Sequence, residues 1–204
     1  MRARMKSQDR RAAIVASAIH LFADKGFRGT TTRELAAALS ITEPVLYQHF
    51  RTKSDLYAAI IETKCRQGAV GAAELLGEIE SDDRRFFTAL ANLILGHYRE
   101  DPDFVRLLLY SALERHDLSN LFFEQHVLSF YDLVAGYIRR RVRAGAFRQV
   151  NPRLAARAFI GMVSYHGLVE VLYGNRIVKV SQSRLVQEMV TTFLTGIHRD
   201  GCSC

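Results

Sequence analysis

Apolar positions recur along this chain at intervals of three and four, and no stretch alternates cleanly enough to make a strand. The pattern predicts about nine helices, near residues 8–25, 32–39, 43–49, 53–78, 82–100, 102–115, 119–144, 152–173 and 182–198. Helix punctuation falls between them. Asp101-Pro102 and Asn151-Pro152 each set a capping side chain before a proline at the first helical position. Gly26, Gly145 and Gly174 follow amphipathic runs, where left-handed C-terminal caps belong, and Ser81-Asp82 and Ser181 can cap N-termini. The fold class is all-α.

Residues 27–56 hold two short helices close together. Thr31-Thr32-Arg33-Glu34 fits a capping box, with Thr31 as the cap. Leu35, Ala36 and Leu39 give one apolar face, Ser40-Ile41 a turn, and Thr42 a second cap. Glu43-Pro44 open the next helix, where a proline forfeits no hydrogen bond. That helix is too short to add much core, and it turns Thr42, Tyr47, Gln48 and His49 outward. A tight pair of this kind is a helix-turn-helix, whose second helix enters the major groove; an ordinary hairpin of a bundle is the alternative.

Charge favours the first reading. The 204 residues carry a net +7, of which +6 falls within residues 1–67. A basic module joined to a nearly neutral one suits a polyanion-binding head with a different task behind it. The composition is that of an ordinary globular chain, no apolar run can span a bilayer, and the basic N-terminus lacks a signal core, so a cytoplasmic protein without membrane contact is expected. Cys65, Cys202 and Cys204 cannot form a disulfide framework. No glycine-rich phosphate loop or nucleophile elbow occurs, and His198 with Cys202 and Cys204 gives only half a metal site. No enzyme, cofactor or metal is expected. A metal-dependent enzyme and a basic helical interaction module remain the rival classes.

Over about residues 14–57 the chain resembles the TetR family of bacterial transcriptional regulators. Ala18, Phe22, Gly26-Phe27, Thr30-Thr31, Leu35-Ala36, Ile41-Thr42, Leu46-Tyr47, His49-Phe50, Lys53 and Leu56 stand in its pattern. Ser40 departs from it where the turn usually has glycine, and Pro44 where glycine or alanine is common. The resemblance implies a three-helix helix-turn-helix DNA-binding domain over residues 1–52. It implies a helical bundle for ligand binding and dimerisation over 53–204. Expected partners are double-stranded DNA with a palindromic operator, a second copy of the chain, and a small-molecule effector. A repressor is expected, with an activator, or a regulator without an effector, as the alternative.

By the same resemblance Tyr47, His49 and Lys53 contact phosphates, assisted by Thr31 or Thr32. A cation, a phenol or a helix N-terminus is what a phosphate oxygen needs. Base reading falls to Thr42, Glu43, Val45 and Gln48, with Pro44 in the same first turn; Arg33 reaches a phosphate or a groove edge. The arm from Arg2 to Arg11 reads as a solvated tail, with nonspecific or minor-groove DNA contacts as the alternative.

The last two helices carry very little charge, and a helix apolar all round must be buried all round. Phe159, Met162, Val163, His166, Val186, Met189, Val190, Phe193 and Ile197 are therefore expected at a dimer interface, where the family forms a four-helix bundle; a large monomer core is the alternative. Gly161 and Gly167 suggest close helix approach. Aromatic and histidine side chains crowd the middle of the chain, most of them core. Tyr110, Phe123, His126, Phe130 and Tyr165 are expected to line an effector pocket for a hydrophobic or aromatic compound. Arg139, Arg140, Arg141 and Arg143 read as a solvated helix end.

Overall fold

A computed structural model describes residues 7–174 and 180–198, with side chains described outside 7–8, 65–75, 118, 121 and 125. The Cys65 side chain, Cys202, Cys204 and the arm residues Arg2, Arg4 and Lys6 lie outside the described residues. The helices are α1 (Ser7–Gly29), α2 (Thr32–Ala38), α3 (Glu43–His49), α4 (Lys53–Gly77), α5 (Asp83–Glu100), α6 (Pro102–Leu113), α7 (Asp117–Phe122), α8 (Leu128–Arg143), α9 (Pro152–Tyr173) and α10 (Gln182–Ile197). The all-α reading holds, and the described residues contain no strand beyond one isolated bridge between Phe147 and His198. The predicted helix 119–144 is the one that breaks. A π-helical turn, Phe123–Val127, separates α7 from α8. It adds a residue to the helical repeat, which an apolar period of 3.6 does not register.

The chain forms two compact units that interleave in sequence: one runs to residue 67 and takes in 103–122, the other holds 68–102 and 123 onward. The first packs Ile14, Ala18 and Phe22 of α1 with Leu35, Leu46, Tyr57 and Ile60. Phe104 and Leu107 of α6 are buried in the same core. That is why compactness divides the chain elsewhere than at residue 52, the boundary expected from the resemblance. The second unit is built on aromatics. Phe86 stacks on Tyr137 at 3.7 Å, and Phe87, Phe159 and Phe193 meet with centroids 4.8–4.9 Å apart.

Local chemistry sets the helix ends. Thr31 and Glu34 make the full capping box, and the Asp82, Asn151 and Ser181 side chains each accept from the first turn they precede. Three helices end in Schellman turns. After α2, Ser40 N donates to Ala37 O and Ile41 N to Ala36 O; Arg115 and His116 repeat this after α6, and Gly145 and Ala146 after α8. Gly26, at a kink that sets Phe27–Gly29 off from the rest of α1 as part of the turn into α2, and Gly174, the cap of α9, are of another kind. Both have φ 71°, but ψ is 179° and 175°, an extended region essentially reserved to glycine.

Ser40 holds φ 52° at a position glycine fills without strain. Ser40→Gly should raise stability by about 0.5–1 kcal/mol, since relief of the left-handed strain exceeds the added unfolded-state entropy. Chemical denaturation checks this, and a lower midpoint would contradict it.

In the second unit the arginine-rich end of α8 is only partly solvated. Arg139, Arg140 and Arg143 are exposed. Arg141 instead makes two hydrogen bonds to Asp83, at 2.7 and 3.0 Å, and Tyr137 donates to the same carboxylate at 2.8 Å. Burial and that carboxylate together push the Tyr137 phenol well above its ordinary value.

Candidate nucleic-acid interface

The seven-residue α3 buries only Leu46. Thr42, Pro44, Tyr47 and Gln48 are exposed, while Glu43, Val45 and His49 are half-buried. Thr42 has the extended backbone of an N-cap, yet its hydroxyl makes no capping bond. On α2 the Thr31 hydroxyl is spent locally: it accepts Glu34 N and donates to Glu34 Oε2. Lys25 Nζ meets the other Glu34 oxygen at 2.6 Å, and these bonds hold the Glu34 carboxyl down at about 2.

Besides Thr31, four of the expected DNA contacts, Thr32, Glu43, Tyr47 and Lys53, have partners within the protein. Thr32 Oγ1 donates to Glu43 Oε2 at 2.7 Å and lies 3.5 Å from the Tyr47 hydroxyl, so α2 and α3 are tied together across the turn. Glu43 thus has a positioning role that its expected base-reading role did not include. Lys53 differs more. Its ammonium donates to Phe27 O and Thr30 O, both at 2.7 Å, and sits 4.3 Å from the Phe27 ring centre. Burial lowers its pKa from the ordinary lysine value, partly offset by Glu114. Two of its three N–H donors are committed to the carbonyls of the α1–α2 turn. Arg33 is exposed. Arg10 and Arg11, read from sequence as part of a tail, belong to α1, and the Arg11 guanidinium lies 4.4 Å over the Phe50 ring.

The α1–α2 turn has its polar backbone satisfied from three sides. The buried Thr30 hydroxyl donates to Gly26 O at 2.7 Å. Lys53 takes Phe27 O and Thr30 O. Glu114, at the end of α6, accepts from Phe27 N at 3.0 Å and from Arg28 N at 3.2 and 3.3 Å. Glu114 was missed in the sequence, because a partner 86 residues away leaves no spacing to read.

Lys53→Ala should lower the thermal midpoint and weaken DNA binding through this turn. The slope of log K against log salt should change by well under the roughly one unit that a lost phosphate contact gives. Titration of a DNA duplex at several salt concentrations measures this, and a full unit of slope would restore Lys53 to the phosphate contacts.

The residues expected at a dimer interface divide in two. Phe159, Val163, Val186, Val190 and Ile197 are buried in the chain's own core, and Phe193 packs on Phe87 and Phe159. Within the single chain the buried members of this set face their own unit, where a second copy would find little surface. Met162, His166 and Met189 are half-buried, and His166 faces Glu170 at 3.6 Å. What α9 leaves outward is another stripe: Leu154, Ala158, Gly161, Tyr165, Leu168 and Leu172, of which only Leu168 is half-buried. Their spacing alternates four and three, the seam of a coiled coil. Gly161 has open space beyond it, whereas a Cβ at Gly167 would meet the Tyr98 ring of the same chain at 2.6 Å.

The five residues expected at an effector pocket are likewise split. Tyr110 belongs to the first unit, where its hydroxyl donates to Asp24 O at 3.3 Å. Tyr165 lies on the α9 seam. Phe123 and His126 sit in the π-helical turn and Phe130 follows on α8, half-buried against the core. A cleft in the first unit is lined by Phe27, Arg28, Asp55, Glu114 and His116 among others, none of them expected from sequence as effector contacts.

A long first helix followed by two of seven residues in a basic N-terminal unit, the last burying one residue and turning polar side chains outward, defines a helix-turn-helix protein. Residues 14–60 match the description "Bacterial regulatory proteins, tetR family", and residues 84–196 match "AefR-like transcriptional repressor, C-terminal domain". The HTH-type transcriptional regulator YvkB of Bacillus subtilis is 21% identical over 187 residues, 92% of this chain and 96% of YvkB. AibR, solved with isovaleryl coenzyme A and operator DNA, superposes with TM-score 0.72 at 21% identity, covering 90% of this chain and 97% of AibR. A transcriptional regulator from Saccharomonospora viridis, solved with choline, gives TM-score 0.74 at 20% identity over 94% and 99% of the two chains. The chain belongs to the TetR family and is a DNA-binding transcriptional regulator. No helix among the described residues is long and apolar enough to cross a membrane.

Proposed function

We propose that this regulator is a cytoplasmic homodimeric repressor, bound to a palindromic operator and released by a small hydrophobic or aromatic compound, and that it acts by binding rather than by catalysis. The observation that supports DNA reading is the exposed face of α3. Thr42, Val45 and Gln48 offer a hydroxyl, a methyl-contacting surface and an amide suited to an adenine edge. Tyr47, His49, Thr32 and Arg33 surround them with groups that suit phosphates. The α9 seam supports the dimer: an isologous pair of seams is self-complementary, and two-fold symmetry in the protein calls for two-fold symmetry in the operator.

For the effector we propose the region of Phe123, His126 and Phe130. π-Helical turns concentrate at functional sites, and this one carries an aromatic ring and an imidazole, with the Phe130 ring following on α8. The neighbours solved with isovaleryl coenzyme A and with choline support small-molecule control in this fold. Selection of bound duplexes from a random library, followed by genome-wide binding of the tagged protein, tests the reading. Recovery of a palindrome upstream of genes that rise when the regulator is deleted is expected; a non-palindromic or absent preference rejects it. Any releasing compound must bind operator-loaded protein more weakly by the same factor as it weakens DNA binding, because coupling is reciprocal.

A further inference from the structure

We infer that Glu114 is a positioning residue for DNA recognition, acting on the α1–α2 turn from the end of α6; this rests on the reading of α2 and α3 as the DNA-facing pair. The turn is gripped by opposite charges on its two kinds of backbone group. Lys53 holds its carbonyls, at Phe27 and Thr30, and Glu114 holds its amides, at Phe27 and Arg28. Hydrogen bonds to a charged partner are stronger than neutral ones; those of Lys53 are short, at 2.7 Å, and Glu114 spreads its charge over three longer ones, at 3.0–3.3 Å. Residue 30 leads directly into Thr31 and Thr32, so the position of this turn sets the position of the α2 N-terminus.

Glu114 is itself fixed. It is the residue after α6, which closes in the Schellman turn of Arg115 and His116. The His116 ring that follows packs edge-on against Phe27, 4.3 Å between centres. Tyr110, one turn earlier, reaches Asp24 O, and Tyr57 of α4 donates to Leu107 O at 2.9 Å. Gly26 makes the approach possible, since a Cβ there would lie 2.6 Å from Glu114 Oε1. The end of α6 is therefore built onto the DNA-reading turn, and Glu114 is its polar contact with the amides.

The test uses the full-length chain and a duplex selected by the wild type from a random library, with an unselected duplex as control. Glu114→Ala is expected to weaken the selected duplex about 100-fold and the control duplex by less than about threefold, because control binding depends on charge and not on register. Glu114→Gln, which retains one carbonyl acceptor, should lose about tenfold and so rescue part of the effect. Amide exchange of Phe27 and Arg28 should accelerate in both variants. Equal loss on both duplexes, or selectivity unchanged in Glu114→Ala, would overturn the inference. Should Glu114→Ala fail to fold, Glu114→Gln decides by the same ratio. A wild type that selects no duplex overturns the DNA reading itself, a result distinct from a selective wild type with an equally selective variant.

Discussion

Gly26→Ala should lower the stability of the protein by about 3 kcal/mol and its thermal midpoint by roughly 6–12 °C. Two causes add. The backbone at φ 71°, ψ 179° is one that residues with a Cβ enter at a cost of about 1–3 kcal/mol. The new methyl would also lie 2.6 Å from Glu114 Oε1 and 2.9 Å from the Tyr110 ring. The Glu114 side chain could swing away, but only by releasing the Phe27 and Arg28 amides it accepts. Gly136→Ala is the control: the residue is helical, a methyl there would meet nothing within 4 Å, and the variant should gain up to about 1 kcal/mol from helix propensity. Calorimetry of the two variants decides. A Gly26→Ala protein that melts with the wild type would mean that the turn relaxes without strain.

Tyr165→Asp is expected to convert a dimer into a folded monomer. Tyr165 is 70% exposed in the single chain, so the substitution removes little from the chain's own core. In the proposed dimer it would place an unpaired charge in the middle of the α9 seam, costing several kcal/mol. Loss of bivalency should then weaken binding to a palindrome by about 10²–10⁴-fold while leaving half-site binding in place. Sedimentation velocity, circular dichroism and duplex titration together read the outcome. A variant that remains a dimer would move the interface off this face of α9. Phe193→Asp is the less informative choice, because Phe193 packs on Phe87 and Phe159 and its loss would damage the monomer first.

Those two substitutions also mark where the sequence could be read and where it could not. The capping box of Thr31 and Glu34 spans three residues, and the helix-turn-helix closes within about twenty, so local chemistry was enough to find both. On α9 nearly every face is apolar. Periodicity could say that the helix is enclosed, but not that Phe159 and Val163 face inward while Tyr165 and Leu172 face out. That distinction comes from α5, α8 and α10 packing against one side. Lys53 was assigned by its position in a familiar pattern, and the pattern says nothing of the carbonyls of Phe27 and Thr30 beside it. Glu114 and Arg141 look like ordinary surface charges until partners 86 and 58 residues away are known.

The interleaving of the two compact units bears on how such a protein can be cut and recombined. Because residues 103–122 complete the core begun by residues up to 67, a DNA-binding fragment ended after α4 would leave the buried faces of Tyr57 and Ile60 without Phe104 and Leu107. A single crossover cannot transplant the reading head onto another regulator intact. A working chimera has to carry α6 and α7 along with α1–α4, which requires two further junctions, near residues 102 and 122. Gene fusion that respects only the first boundary replaces Phe104 and Leu107 in this core with foreign side chains.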